Sequence, residues 1–326
     1  MTSFVRGATA TWSQLHARAG GHYWTLAPHL RDRVRPVSAP ADAPWSCVVP
    51  DERMGEVRLG GRLHRGDDTC VLLVHGLGGS ADSPYVRRAA RAIAARGWSY
   101  LRVDLRGADG RGEDLYHAGL VGDLEVVVAD PALAFARTLL VVGFSLGGHV
   151  ALHLGLRPGD ARLRAIAAVC SPLDLARSAA VIDAPRATLY RTHVLRALVE
   201  GHRQVVARRG TRMPGTAAEI AAIRTIRDWD RVVVVPRHGF ADVDDYWRRA
   251  SVAPHLRALE LPAAYFGASW DPMVTRASVE PALRAAGDAI EVRWFERGGH
   301  VGFPDALVEG RSLEAELVRW CERFAG

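Results

Sequence analysis

Gly143-Phe144-Ser145-Leu146-Gly147-Gly148 decides how this chain is read, because it stands between the apolar run Leu139-Leu140-Val141-Val142 and a helix-like run over 150–156. A buried strand that enters a sharp turn and leaves as a helix is the setting in which a G-x-S-x-G pattern becomes a nucleophile elbow. The serine at the tip is then held at positive φ with its Oγ turned outward. Gly143 and Gly147 flank it because a β-carbon at either position would collide where strand and helix converge. The plain alternative is a glycine-rich helix start that only joins two elements. Five residues do not choose between these readings; the rest of the chain does.

Before the elbow, Cys70-Val71-Leu72-Leu73-Val74 is an apolar run of strand length, the pattern of a strand covered on both faces. It ends in His75-Gly76-Leu77-Gly78-Gly79-Ser80. Tyr85, Val86, Ala89, Ala90, Ile93 and Ala94 then recur at helical spacing and stop at Gly97. A strand over 99–104, a glycine-rich loop through Arg111-Gly112, a helix over 120–136 and, beyond the elbow, a strand over 165–170 continue the alternation. Strands alternating with helices define an α/β chain: a mostly parallel, doubly covered sheet with right-handed crossovers. Ligands of such sheets bind outside the carboxyl ends of the strands, where His75, Ser145 and Ser171 fall.

The alternation breaks over 176–255, a polar, helix-prone segment read as a lid inserted between two core strands. Its one strong apolar run, Val232-Val233-Val234-Val235, belongs either to the lid or to a strand of the sheet. Core pattern resumes with a strand over 263–267, a helix over 276–286, a strand over 290–295 and a closing helix over 305–324. At the other end, 1–44 reads as an arm with a short helix near 11–19, packed through Trp12, Tyr23 and Trp24. Residues 45–59 read as the opening strands, turning at Pro50-Asp51-Glu52-Arg53. The expected organisation is arm 1–44, core 45–175, lid 176–255 and core 256–326, with no internal repeat.

With 326 residues, 48% of them hydrophobic, the chain buries a sizeable core. The formal net charge of +6 raises the question of a nucleic-acid partner. There is no lysine, however, and the arginines are scattered among acidic residues, with short clusters only at Arg31-Asp32-Arg33-Val34-Arg35 and Arg208-Arg209. A solvated surface, not a nucleic-acid face, is expected. Cys47, Cys70, Cys170 and Cys321 are far apart and show no C-x-x-C spacing, which points to buried free thiols in a reducing compartment. The opening Met1-Thr2-Ser3-Phe4-Val5-Arg6-Gly7 lacks an apolar signal core, and no stretch is long and apolar enough to span a bilayer. The expectation is a cytoplasmic protein without stable membrane insertion.

A serine hydroxyl needs a base to take its proton as it attacks, and the base needs a carboxylate to hold its tautomer. In a sheet of this kind the partners follow the serine in the order acid, then histidine, on loops after later strands. Asp271, in Ser269-Trp270-Asp271-Pro272-Met273, follows the strand ending at Phe266. His300, in Gly298-Gly299-His300-Val301-Gly302-Phe303, follows the strand ending at Phe295. Asp174, in Ser171-Pro172-Leu173-Asp174-Leu175, is a rival acid after an earlier strand. Asp271 is preferred because Asp-Pro can open the following helix while the carboxylate turns inward. Acyl transfer also needs donors for a developing oxyanion. The backbone N–H of Leu146, at the start of the elbow helix, and that of Leu77, in the glycine-rich loop beside it, are the candidates.

Other residues carry plainer readings. His75 is expected to brace its loop. His149 and His153 lie one helical turn apart, a spacing seen in metal pairs, but without an H-E-x-x-H pattern or a third ligand they read as packing. Gly107, Gly110 and Gly112 form no dinucleotide fingerprint. No cofactor and no metal are expected.

Together these motifs resemble the α/β-hydrolase superfamily and, more narrowly, its YheT-type branch, which groups with abhydrolase-domain lipid hydrolases. Besides the elbow, the likeness rests on His75-Gly76-Leu77 with Gly79-Ser80, Arg106-Gly107, Tyr116-His117-Ala118-Gly119 with Asp123, and Ser171-Pro172. It also rests on Tyr246 with Arg249-Ala250-Ser251, on Gly299-His300-Val301-Gly302-Phe303, and on Gly21-His22 with Thr25 and Pro28 in the arm. The resemblance implies a triad of Ser145, Asp271 and His300, a lid over the site, and cofactor-free hydrolysis of carboxylic esters, small or medium-chain acyl esters being the expected substrates. Three places depart from the branch: His149 stands where asparagine is usual, Trp270 where an acidic residue often precedes the aspartate, and Ala108-Asp109 where Cys-Ser commonly follows Arg-Gly. Thioesterase, lactonase or lipase activity, or a non-catalytic binding protein on the same fold, are the alternative readings.

Overall fold

Strands β1 (Ala43–Asp51), β2 (Gly55–His64), β3 (Thr69–Val74), β4 (Ser99–Asp104), β5 (Thr138–Phe144), β6 (Leu163–Val169), β7 (Ala263–Ala268) and β8 (Glu291–Phe295) form one sheet in the order β1-β2-β4-β3-β5-β6-β7-β8. The computed structural model describes residues 12–110, 113–209 and 213–326. The expectations for the opening seven residues, Thr11, Arg111-Gly112 and the side chains of Trp12 and Arg209 lie outside the described residues. β3 to β8 run parallel, and β2 is antiparallel to both β1 and β4. From β3 the chain crosses outward to β4 and then returns past β3 to β5. The carboxyl ends of β3 and β5 therefore emerge side by side where the winding reverses, the place where such sheets hold ligands.

Successive side chains of a strand point to opposite faces, and β3 shows the division. Val71 and Leu73 pack with Val86, Ala90 and Ile93 of α2 (Pro84–Ala95) and with Leu317 and Trp320 of the C-terminal helix (Leu313–Cys321). Leu72 and Val74 face the opposite cluster, with Leu124 and Val127 of α3 (Gly122–Ala129) and Val150 and Leu154 of α4 (Leu146–Leu156). Both faces are covered, so β3 and β5 carry no polar face and read as unbroken apolar runs.

Several boundaries differ from the sequence reading, each for a local reason. The arm is one long helix, α1 (Trp12–Val34), where a short one near 11–19 was expected. It packs through Gly21, Trp24, Thr25 and Pro28, whereas Tyr23 is 52% exposed. The helix expected over 120–136 stops at Ala129, because Asp130 is extended and Pro131 opens a separate 3-10 turn. The closing helix starts only at Leu313, where Ser312 accepts a hydrogen bond from the Ala315 N–H.

Between β6 and β7 lie α5 (Leu175–Ile182), α6 (Thr188–Arg209), α7 (Ala217–Ala222), α8 (Ile226–Trp229), α9 (Val235–His238) and α10 (Val243–Ala250). The valine run is not a strand: Asp230–Val234 is a π-helical turn joining α8 to α9. Val232, Val233 and Val234 are buried in the same cluster as Trp229 and Trp247, so burial on several sides overrides the β-preference of valine. Resuming the count, α11 is Arg276–Ala286 and α12 is the C-terminal helix Leu313–Cys321. Cys47, Cys70, Cys170 and Cys321 are all buried and free.

Candidate active site

β5 ends at Phe144 and α4 begins at Leu146, leaving Ser145 alone in the turn at φ 50° and ψ −122°. Few non-glycine residues adopt such a conformation, and here the neighbours enforce it. A β-carbon on Gly143 would stand 2.5 Å from the Gly148 Cα, so the strand can meet the helix only without one. At Gly147 the clash is with the carbonyls of Val74 and His75, the end of β3, so this glycine serves the contact with the neighbouring strand. Ser171 Oγ donates to the Ser145 carbonyl at 2.8 Å and ties the elbow to the loop after β6.

Three loops from separate strands meet at the elbow. Ser145 Oγ lies 3.0 Å from His300 Nε2, and His300 Nδ1 lies 2.9 Å from Asp271 Oδ2. With Nδ1–H donating to the carboxylate, Nε2 is left to accept the serine proton. The second oxygen of Asp271, Oδ1, accepts from the Met273 N–H at 2.8 Å and the Val274 N–H at 2.9 Å. It caps this turn and not α11, whose N-cap is Thr275, so the Asp-Pro pair does not open the following helix as expected. Asp174 is elsewhere engaged: it caps α5 through the Arg177 N–H and faces the Arg177 side chain.

The glycine loop after β3 is held by two tyrosines. The Gly76 N–H donates to the Tyr85 hydroxyl at 3.0 Å and the Gly78 N–H to the Tyr116 hydroxyl at 2.7 Å. The Leu77 and Leu146 amides donate to no acceptor among the described residues, and both residues line the cavity that contains Ser145. His75 braces this loop as expected: its Nδ1 donates to the Gly76 carbonyl and its Nε2 accepts from the Leu105 N–H. Burial pushes its pKa down to about 4, so the ring is neutral near pH 7.

Thr25 is a contact that the motifs did not assign. Its Oγ1 accepts from the His300 N–H at 2.8 Å and donates to the Gly21 carbonyl at 2.8 Å. α1 lies so close that a β-carbon on Gly299 would strike the Gly21 carbonyl, and one on Gly302 the Trp24 carbonyl. One on Gly21 would in turn strike the Trp270 carbonyl, next to Asp271. The helix backbone thus presses on both the histidine and the aspartate loops. The sequence signal was present in Gly21 and Thr25 at i, i+4 on one helix face.

A cavity of about 610 Å³ opens over the elbow, walled by Leu77, Leu146, Val194, Trp229 and Trp247 and reached by Ser145 and His300. Asp230 also lines it, a buried carboxyl to which the Trp247 indole donates at 2.7 Å. Burial pushes its pKa up to about 7. A larger polar groove of about 920 Å³ runs beside β1 and β2, lined by Arg58, Asp82 and Asp104, but none of Ser145, Asp271 and His300 reaches it. His149 and His153 face neither: both rings hydrogen-bond the Ala250 carbonyl, at 2.7 and 2.9 Å, and pin α4 to α10.

A doubly covered, mostly parallel sheet carrying such an elbow between β5 and α4 defines an α/β hydrolase. A family model described as "Alpha/beta hydrolase family" matches residues 71–309, and the chain belongs to that family. Within it the chain is of YheT type. The YheT protein of Escherichia coli (strain K12), named as an esterase, is 30% identical over 262 residues, which cover 78% of this chain and 76% of that protein. The monoacylglycerol lipase of Saccharomyces cerevisiae is 25% identical over 274 residues, covering 78% of this chain and 59% of that protein. Among solved structures, the Pyrococcus furiosus esterase Pf2001 matches in fold with a TM-score of 0.58 at 17% identity, over 87% of this chain and 94% of that one.

Proposed function

We propose that the protein is a serine hydrolase of carboxylic esters. Ser145 attacks the ester carbonyl, His300 takes its proton and returns it to the leaving alcohol, and Asp271 holds the imidazole. Water then cleaves the acyl-enzyme by the same relay run again. The backbone N–H groups of Leu77 and Leu146 receive the oxyanion. The observation that carries this reading is the unbroken chain of contacts from Ser145 Oγ to His300 Nε2, and from His300 Nδ1 to Asp271 Oδ2. The names of the Escherichia coli and yeast relatives support the ester-cleaving class.

In this reading the helices over 176–255 form the lid, and the largely apolar cavity beneath them takes a small or medium-length acyl chain. The chemistry needs these side chains and water alone. Four buried, unpaired thiols support a reducing compartment such as the cytoplasm. Lipase activity is the second reading, favoured by the yeast relative's name.

The test is turnover of p-nitrophenyl esters of graded chain length, with fluorophosphonate labelling, by the wild type and Ser145→Ala. Turnover and labelling are expected in the wild type and absent in the variant. Equal rates for both would remove Ser145 as nucleophile, and failure of wild-type Ser145 to label would favour a non-catalytic binding protein.

A further inference from the structure

α1 is apolar on the wrong side for a helix that merely packs on a core. Gly21, Thr25 and Pro28 face the histidine loop. At 3.6 residues per turn, Leu15, Tyr23, Leu26, Leu30 and Val34 fall within a stripe about 100° wide on the opposite side. All five are exposed, Leu30 by 59% and Val34 by 80%. Scattered surface leucines need no explanation, but an aligned row of this length marks an interaction face.

Two further observations say what covers it. The stripe is continuous with the cavity mouth: Leu26 and Leu30, together with the exposed Leu189 of α6, are both open to solvent and part of the wall of the cavity that holds Ser145. The same face is flanked by Arg31, Arg33 and Arg35, none of which forms an ion pair among the described residues. The one carboxylate between them, Asp32, is taken up by Arg87. An apolar stripe bordered by unpaired cations suits a surface with acyl chains below and negative headgroups above.

We propose that α1 lies in the interface of an anionic lipid surface and turns the cavity mouth towards it. This is docking and not insertion: among the described residues no helix is long and apolar enough to cross a membrane. The same helix carries Thr25 against the His300 loop, so the docked element is the one that braces the site. The proposal goes beyond the hydrolase reading and stands apart from it, because docking needs no turnover.

Co-sedimentation of the full chain carrying Ser145→Ala with phosphatidylcholine vesicles, with and without phosphatidylglycerol, tests it. Binding is expected only with phosphatidylglycerol and is expected to weaken with added salt. Leu15→Asp with Val34→Asp, and separately Arg31→Glu with Arg35→Glu, should each weaken binding by about tenfold or more. Leu15 and Val34 do not line the cavity, so the aspartate pair, made with Ser145 intact, should leave turnover of a soluble short-chain ester unchanged and show that the variant is folded. Binding that ignores phosphatidylglycerol, or that survives both pairs of substitutions, overturns the proposal. So does a solution dimer that the aspartate pair dissociates, which would assign the stripe to a second copy of this chain.

Discussion

Asp230 sits on the cavity wall where, among the described residues, the Trp247 indole alone donates to it, and burial lifts its pKa to about 7. Asp183 nearby acts in the same direction, while Arg227 opposes both. The folded state therefore holds a proton that the unfolded chain releases near the ordinary carboxyl value. The stabilisation this gives is complete below about pH 4 and is lost as the pH rises through about 7. Asp230→Asn keeps an oxygen for the indole and abolishes the slope. Its Tm, followed by scanning calorimetry, should gain on the wild type between about pH 5 and pH 8; parallel curves would mean that Asp230 is ionised throughout. No motif announces this residue, because its burial depends on how α8 and α10 meet. Ser145, Asp271 and His300 were legible as candidates for the opposite reason: each follows a strand, so strand order alone brings it to the carboxyl edge of the sheet, as it does the rival Asp174.

α1 shows what one element does at two surfaces. Its inner face gives the His300 amide an acceptor, and an acceptor lost from a buried N–H is worth roughly 1–3 kcal/mol. If the relay operates as proposed, Thr25→Val should lower kcat about tenfold with KM nearly unchanged, and Thr25→Ser should restore it. A fall in Tm with kcat intact would make Thr25 a packing residue only. The sequence pattern shows only a short helix here because the polar, glycine-bearing middle of α1 lacks the periodicity of a core helix. The valine run fits strand and lid alike for a related reason, since four successive apolar side chains suit any element buried on all sides.

At the scale of the whole molecule, one buried ion network joins the segments. Arg106 reaches Asp51, Asp114 and Asp123 at 2.5, 2.9 and 2.7 Å, and Arg237 reaches Asp51 and Asp114 at 3.2 and 2.5 Å. It links the end of β1, the loop after β4, α3 and α9. Arg53 adds hydrogen bonds to the Pro236 and Arg237 carbonyls. Arg106→Met strands buried carboxylates and should cost about 3–5 kcal/mol in urea unfolding. Arg106→Lys, which keeps the charge but not the fork, should fall between it and the wild type. A loss below about 1 kcal/mol would show the network to be solvated and weak.

The order of strands, the elbow and the candidate polar residues were determined by sequence alone, because each rests on local sterics: apolar runs of strand length, and glycines where no β-carbon fits. Tertiary structure alone decided which carboxylate faces the imidazole, which strand end requires Gly147, and that α1 lies across both loops. Those are distances between segments far apart in the chain, and no local pattern encodes them.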